Sequence, residues 1–139
     1  MCKYVLLIVV MTSCGNVYSA GKLTIKNAWV REAPPVAKNI AAYAELRNIG
    51  DEALTIVSVK SELFEKVEMH ITAFSNGMMR MKEVKALKIV PGETSFFEPG
   101  GKHFMLKKPK QPIKAGLSIP MKFIMQSGET RSFKLIVRK

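Results

Sequence analysis

Both histidines of the chain, His70 and His103, lie between residues 69 and 105, together with five of its nine methionines: Met69, Met78, Met79, Met81 and Met105. Imidazole serves copper and several other transition metals, whereas the thioether of methionine is a soft, uncharged donor suited to Cu(I). Two of each, His70, Met81, His103 and Met105, therefore make a candidate site for one Cu(I) per chain. Because all four donors are neutral, a bound Cu(I) leaves a single positive charge, and its desolvation costs less than that of a divalent ion. Cu(II) and Zn(II) are expected to bind less well. A thioether carries no proton at neutral pH and is a weaker donor than a thiolate, so a partner's cysteines can displace it stepwise. Imidazole binds metal in its neutral form, and affinity is expected to fall as pH drops below about 6.5.

Other chemistries find little support. The only cysteines are Cys2 and Cys14, far from the candidate ligands, so no thiolate is at hand for a blue-copper electron carrier. No Ser-His-Asp set, paired acids or Gly-rich phosphate loop is present, and four protein ligands leave no open position for metal catalysis. The chain does not read as an enzyme.

Positioning such a site falls to β structure. Segments of alternating or β-rich character recur every eight to twelve residues, separated by turn signals such as Pro34-Pro35, Asn48-Ile49-Gly50-Asp51, Ser75-Asn76-Gly77, Pro91-Gly92, Pro99-Gly100-Gly101 and Ser127-Gly128. That spacing predicts an antiparallel sandwich or barrel. Strands are expected near residues 23–31, 41–48, 53–61, 66–72, 78–83, 87–89, 94–97, 102–106, 117–126 and 130–137. The stretch 62–67 has some helical character but is too short to stand as a helix. Two apart in one strand, His103 and Met105 share a face, while Phe104 and Leu106 turn toward the core. In the same way Met79 and Met81 face away from Arg80 and Lys82. His70 lies near the end of the preceding strand, joined to that of Met81 by a loop with Asn76-Gly77 at its tip. Neighbouring antiparallel strands lie about 4.8 Å apart, so residues on one face of them can share a metal ion.

A length of 139 residues and 47% hydrophobic content suit a single domain with a real core. The opening residues 1–20 read as an export signal: Lys3 precedes an apolar run from Tyr4 to Met11 that is too short for a bilayer span. Cleavage fits after Ser19 or Ala20, or as a lipoprotein signal cut before Cys14, which would then bear the lipid. Residues 21–139 form the expected mature domain, without a disulfide. Loss of Lys3 leaves 21 basic against 11 acidic residues, a net +10 that favours acidic surfaces. The basic residues are spread out, with a local crowd at Lys102, Lys107, Lys108, Lys110 and Lys114, and lack the aromatic interleaving of a single-strand binder. Nucleic acid is not an expected partner, and a membrane is one only through lipid on Cys14.

The intervals sharpen this picture. Ten residues separate His70 from Met81, twenty-one separate Met81 from His103, and one separates His103 from Met105. With Ala28-Trp29-Val30-Arg31, Ala41-Ala42-Tyr43, Asn48-Ile49-Gly50-Asp51, Gly77-Met78-Met79-Arg80-Met81 and Pro99 to Leu106, the chain resembles the PCuAC family of periplasmic copper chaperones over nearly the whole mature domain. The resemblance implies a cupredoxin-like Greek-key β-sandwich with one Cu(I) near its surface. It also implies a periplasmic carrier, read here as a monomer, that delivers copper to the copper-site subunit of cytochrome c oxidase or to another copper chaperone. Some members carry a His- and Met-rich C-terminal extension; this sequence ends at Val137-Arg138-Lys139 without that motif.

Plainer roles suit the other residues. Met121, Met125 and Met69 are expected in the core. Met78 and Met79 adjoin the site as spare donors, and Trp29 and Tyr43 are read as packing. Glu68 and Glu83 could invite a harder metal, but charges on strands are usually solvated. The alternative function is an exported β-sandwich that binds an acidic protein or envelope surface, or a protein that buffers copper for tolerance.

Overall fold

Burial alternates along the strand Asn39–Asn48: Ile40, Ala42, Ala44 and Leu46 are buried, while Asn39, Ala41, Tyr43, Glu45 and Arg47 between them are partly or fully exposed. The computed structural model describes residues 22–139, so the expected export signal lies outside the described residues. Among them are ten strands: β1 (Leu23–Arg31), β2 (Asn39–Asn48), β3 (Leu54–Lys60), β4 (Phe64–Ser75), β5 (Met78–Glu83), β6 (Leu87–Ile89), β7 (Thr94–Phe97), β8 (Lys102–Pro109), β9 (Ser118–Met125) and β10 (Thr130–Arg138). Every strand expected from the sequence is present. The largest difference is β4, which runs three residues further at its end and begins at Phe64, within the stretch of weak helical character. There Phe64 pairs with Pro109, and the gain of a ladder and a buried ring outweighs local helical preference.

The strands form one all-β sheet in the order β5-β4-β8-β7-β2-β1-β10-β9-β3-β6. Because β8 also pairs with β2, and β3 with β4 through Val59 and Val67, the sheet closes on itself like a barrel. Hydrogen bonding thus runs round the molecule and is not divided between two sheets. The interior is filled from all sides. Phe104 stacks on Phe97 with centroids 4.2 Å apart and meets Phe123 at 5.7 Å, and Phe123 stacks on Phe133 at 4.5 Å. Met69, Met121 and Met125 are buried, as their strand parity requires.

Two local devices set the register. Asn48, fully buried, donates to the carbonyls of Glu52 and Ile89 at 2.7 and 2.9 Å and accepts from the Gly50 amide, so a polar side chain ties the β2–β3 loop to β6. At the other end Asn76 (φ 52°) and Gly77 (φ 75°) form the two-residue link between β4 and β5. Positive φ at both positions is what a tight hairpin turn of matching twist needs, and Asn-Gly is the pair that tolerates it.

Candidate metal centre

The site is built on β4 and β8. Inward-facing Val67 and Met69 on β4, and Phe104 and Leu106 on β8, are buried in the core. Their anchorage fixes the alternate residues on the opposite face: Lys66, Glu68, His70 and Thr72 on β4, and His103, Met105 and Lys107 on β8. The antiparallel register then sets His70 against His103, Glu68 against Met105 and Lys66 against Lys107. The two imidazoles meet edge to face with ring centroids 5.6 Å apart.

Each ring has one nitrogen committed and one left over. His70 Nε2 lies 2.6 Å from Glu68 Oε2, and His103 Nδ1 lies 3.3 Å from the carbonyl oxygen of Gly101, which also accepts the Thr72 amide at 3.2 Å. A carboxylate and a carbonyl only accept, so the proton of each neutral imidazole sits on the committed nitrogen. The lone pairs are therefore on His70 Nδ1 and His103 Nε2. Both atoms are buried, and neither has a hydrogen-bond partner. Orphaned buried acceptors are costly unless something fills them, and a ring held at its far nitrogen by a carboxylate or carbonyl is the usual arrangement of a metal-binding histidine.

Glu68 is the residue that sequence reasoning undervalued. Expected as a solvated strand charge, it is only 8% exposed. Lys66 Nζ meets its Oε1 at 2.7 Å, and Lys107 Nζ meets Oε2 at 2.8 Å beside His70. Hydrogen bonds from Lys107 and Lys66, more than offsetting burial, hold its carboxyl down to about 2, and the same contact raises Lys66. With donors on both oxygens, Glu68 orients His70 and is not free to bind a hard metal. Among the described residues, no group of three or more His, Cys, Asp or Glu side chains is placed to hold a metal ion.

The thioethers differ in placement. Met105 is half-buried, two residues from His103 and diagonal to His70 across the ladder. Met81 projects from β5 on the His70 face, but its register partner is Thr72; Glu83 is the residue opposite His70. Met81 is also 60% exposed. The fold thus brings His70, His103 and Met105 together on two adjacent strands and sets Met81 one step outward on the hairpin. Trp29 and Tyr43 pack on each other across β1 and β2 with centroids 5.0 Å apart, and Arg138 covers Trp29 at 5.3 Å.

An all-β barrel-like domain with paired imidazoles and thioethers on one face defines a class, and the comparisons with known proteins agree with it. The chain belongs to the LpqE-like lipoprotein family, whose model it matches over residues 23–137. It is 30% identical over 112 residues to "Putative lipoprotein Lxx21020" of Leifsonia xyli, a match covering 80% of this chain. The chain spans 66% of the length of that protein and 44% of the uncharacterized protein RP573 of Rickettsia prowazekii, to which it is 30% identical over 79 residues. Among solved structures, the apo PCuAC domain from PmoF1 superposes with a TM-score of 0.70 at 23% identity, covering 87% of this chain and 97% of that one. Cu(I)-bound DR1885 from Deinococcus radiodurans gives 0.66 at 25% identity, covering 94% and 85%. The PCuAC resemblance of the sequence stands in the fold as well.

Proposed function

We propose that this chain is an exported Cu(I) carrier that binds one ion through His70 Nδ1, His103 Nε2, Met105 and Met81 and passes it to a copper-accepting partner. The observation that carries this is the pair of buried, unpartnered ring nitrogens whose opposite nitrogens are held by Glu68 and Gly101. Glu68 and the Gly101 carbonyl fix ring orientation and tautomer before the ion arrives, so little reorganisation is needed on binding. Copper accompanies PCuAC domains elsewhere: DR1885 was solved with Cu(I), and a PCuAC domain from PmoF2 was solved with copper bound.

Met81 completes the ligand set from the hairpin and, being exposed, is the donor a partner's soft ligands displace first. Delivery to the copper-site subunit of cytochrome c oxidase, or to a second copper chaperone, is the role within this reading, in the periplasm or on a lipid anchor at Cys14. The lipoprotein description of the family supports the exported location. The closed sheet is then a variant of the cupredoxin-like Greek-key sandwich.

The test is an anaerobic Cu(I) titration of residues 21–139 against a coloured Cu(I) chelator, with His103→Ala and Met105→Leu alongside. One equivalent retained by the parent, and affinity weakened about tenfold or more in each variant, is the expected result. A parent that takes no Cu(I) from the chelator would overturn the assignment.

A further inference from the structure

The β4–β5 hairpin carries exposed apolar residues of which the four-ligand site accounts only for Met81. Phe74, Met78, Met79 and Met81 are 75, 58, 66 and 60% exposed within eight residues of chain. Scattered surface hydrophobes need no explanation, but a cluster of them does. Packing gives none here, because every residue of β5 is exposed.

Register sorts the hairpin into two unlike faces. Met79 pairs with Phe74, Met81 with Thr72 and Glu83 with His70, so Met79 and Met81 stand on the face of the candidate site. Arg80 and Lys82 pair with Ala73 and Ile71 and stand, with Met78, on the other. The site face of β5 thus offers two neutral soft donors and no cation, while the two cations of that strand, Arg80 and Lys82, point away. Residues two apart in a strand are roughly 7 Å apart, and each thioether swings on three rotatable bonds, so the two sulfurs can close on one ion.

We infer that Met79 and Met81 form an outer thioether station through which Cu(I) passes on its way to and from His70, His103 and Met105. This rests on the carrier reading above and adds a step to it. Cu(I) is first held by Met79 and Met81 at the exposed hairpin. It then keeps Met81 and exchanges Met79 for the lone pairs of His70 Nδ1 and His103 Nε2. No electron moves and no proton is released, because thioether and neutral imidazole both donate lone pairs. Met79 is then a positioning residue on the path and not a ligand of the final state. Its loss slows entry and exit alike and leaves the equilibrium in place.

The experiment compares the parent domain with Met79→Leu and Met78→Leu, the latter on the opposite face. Cu(I) supplied as its chelator complex gives the transfer rate by stopped flow and the affinity at equilibrium, and Ag(I) titration followed by methionine-methyl NMR reports which thioethers respond. Expected are a Met79→Leu affinity within about twofold of the parent, transfer about tenfold slower in both directions, an unchanged Met78→Leu, and a Met79 methyl that shifts together with that of Met81. Parent-like rates in Met79→Leu, or a silent Met79 methyl while Met81 and Met105 respond, would overturn the station and leave the carrier standing. A tenfold loss of affinity in Met79→Leu would also overturn it, by making Met79 an equilibrium ligand. A parent that binds neither ion would remove the carrier reading and the station with it.

Discussion

His70 and His103 face each other across the β4–β8 ladder with ring centroids 5.6 Å apart, each committing one nitrogen to an acceptor and leaving the other buried without a partner. Packing imposes this pairing. Met69 precedes His70 and Phe104 follows His103, both deep in the core, so neither strand can slip without turning an apolar side chain to water. The core thus fixes the candidate donors by parity, and polar contacts set only the angle of each ring.

Glu68→Gln tests the orienting role of the carboxylate. A neutral amide gives up the charge-assisted bonds to Lys66, Lys107 and His70 and no longer enforces the His70 tautomer. Cu(I) affinity is expected to fall about 10- to 100-fold with stoichiometry still at one ion, measured by competition with a chelator. Parent affinity in this variant would mean that His70 is oriented by packing alone.

Acid should destabilise the domain through the same group. Glu68 is held near 2 against an ordinary value of 4.5, chiefly by Lys107 and Lys66. A carboxyl depressed in the folded state stabilises fully above its unfolded value and loses that contribution as pH falls through its folded value. Urea midpoints should therefore decline from about pH 4.5 toward pH 2, with a shallower decline in Glu68→Gln. Parallel curves for the two proteins would show that other carboxyls govern acid unfolding.

Much of this is legible in the sequence. Alternation and turn residues delimit the strands, Asn76-Gly77 marks its hairpin, and parity sends Met69, Met121 and Met125 to the core while leaving His103 and Met105 together. The buried Glu68 is not. Alternation assigns it outward, where carboxylates are commonly hydrated, and its burial follows from the cross-strand placement of Lys107 and Met105, which only the β4–β8 register reveals. The spacing Lys66, Glu68, His70 was the one local signal available. Between sandwich and barrel the alternation does not decide, for the same reason: closure depends on the pairing of Val59, near the end of β3, with Val67, near the start of β4. The step that sets Met81 opposite Thr72 is likewise a matter of hairpin register.

Stability and copper binding should separate at Met81 and join at His103. Met81 is exposed, so Met81→Leu is expected to change unfolding free energy by less than about 0.5 kcal/mol while weakening Cu(I) binding. His103 is 4% exposed, and His103→Ala opens a buried space and should cost about 1–3 kcal/mol as well as affinity. Chemical denaturation of the metal-free proteins beside chelator competition reads both quantities. A Met81→Leu variant with parent affinity would remove that residue from the ligand set.

The hairpin turn offers a way to reach the site without touching a candidate ligand. Gly77 sits at φ 75° with nothing near the position a Cβ would take, so Gly77→Ala introduces backbone strain and no clash. The cost should be about 1 kcal/mol, concentrated in β4–β5 because that hairpin has no buried residue on β5 to hold it. Looser pairing lets Met81 leave the His70 face for part of the time, and apparent Cu(I) affinity falls by the fraction so lost. Faster amide exchange in residues 78–83, together with a several-fold weaker Cu(I) affinity, is the expected result; faster exchange with unchanged affinity would show that the hairpin contributes no donor to the bound state.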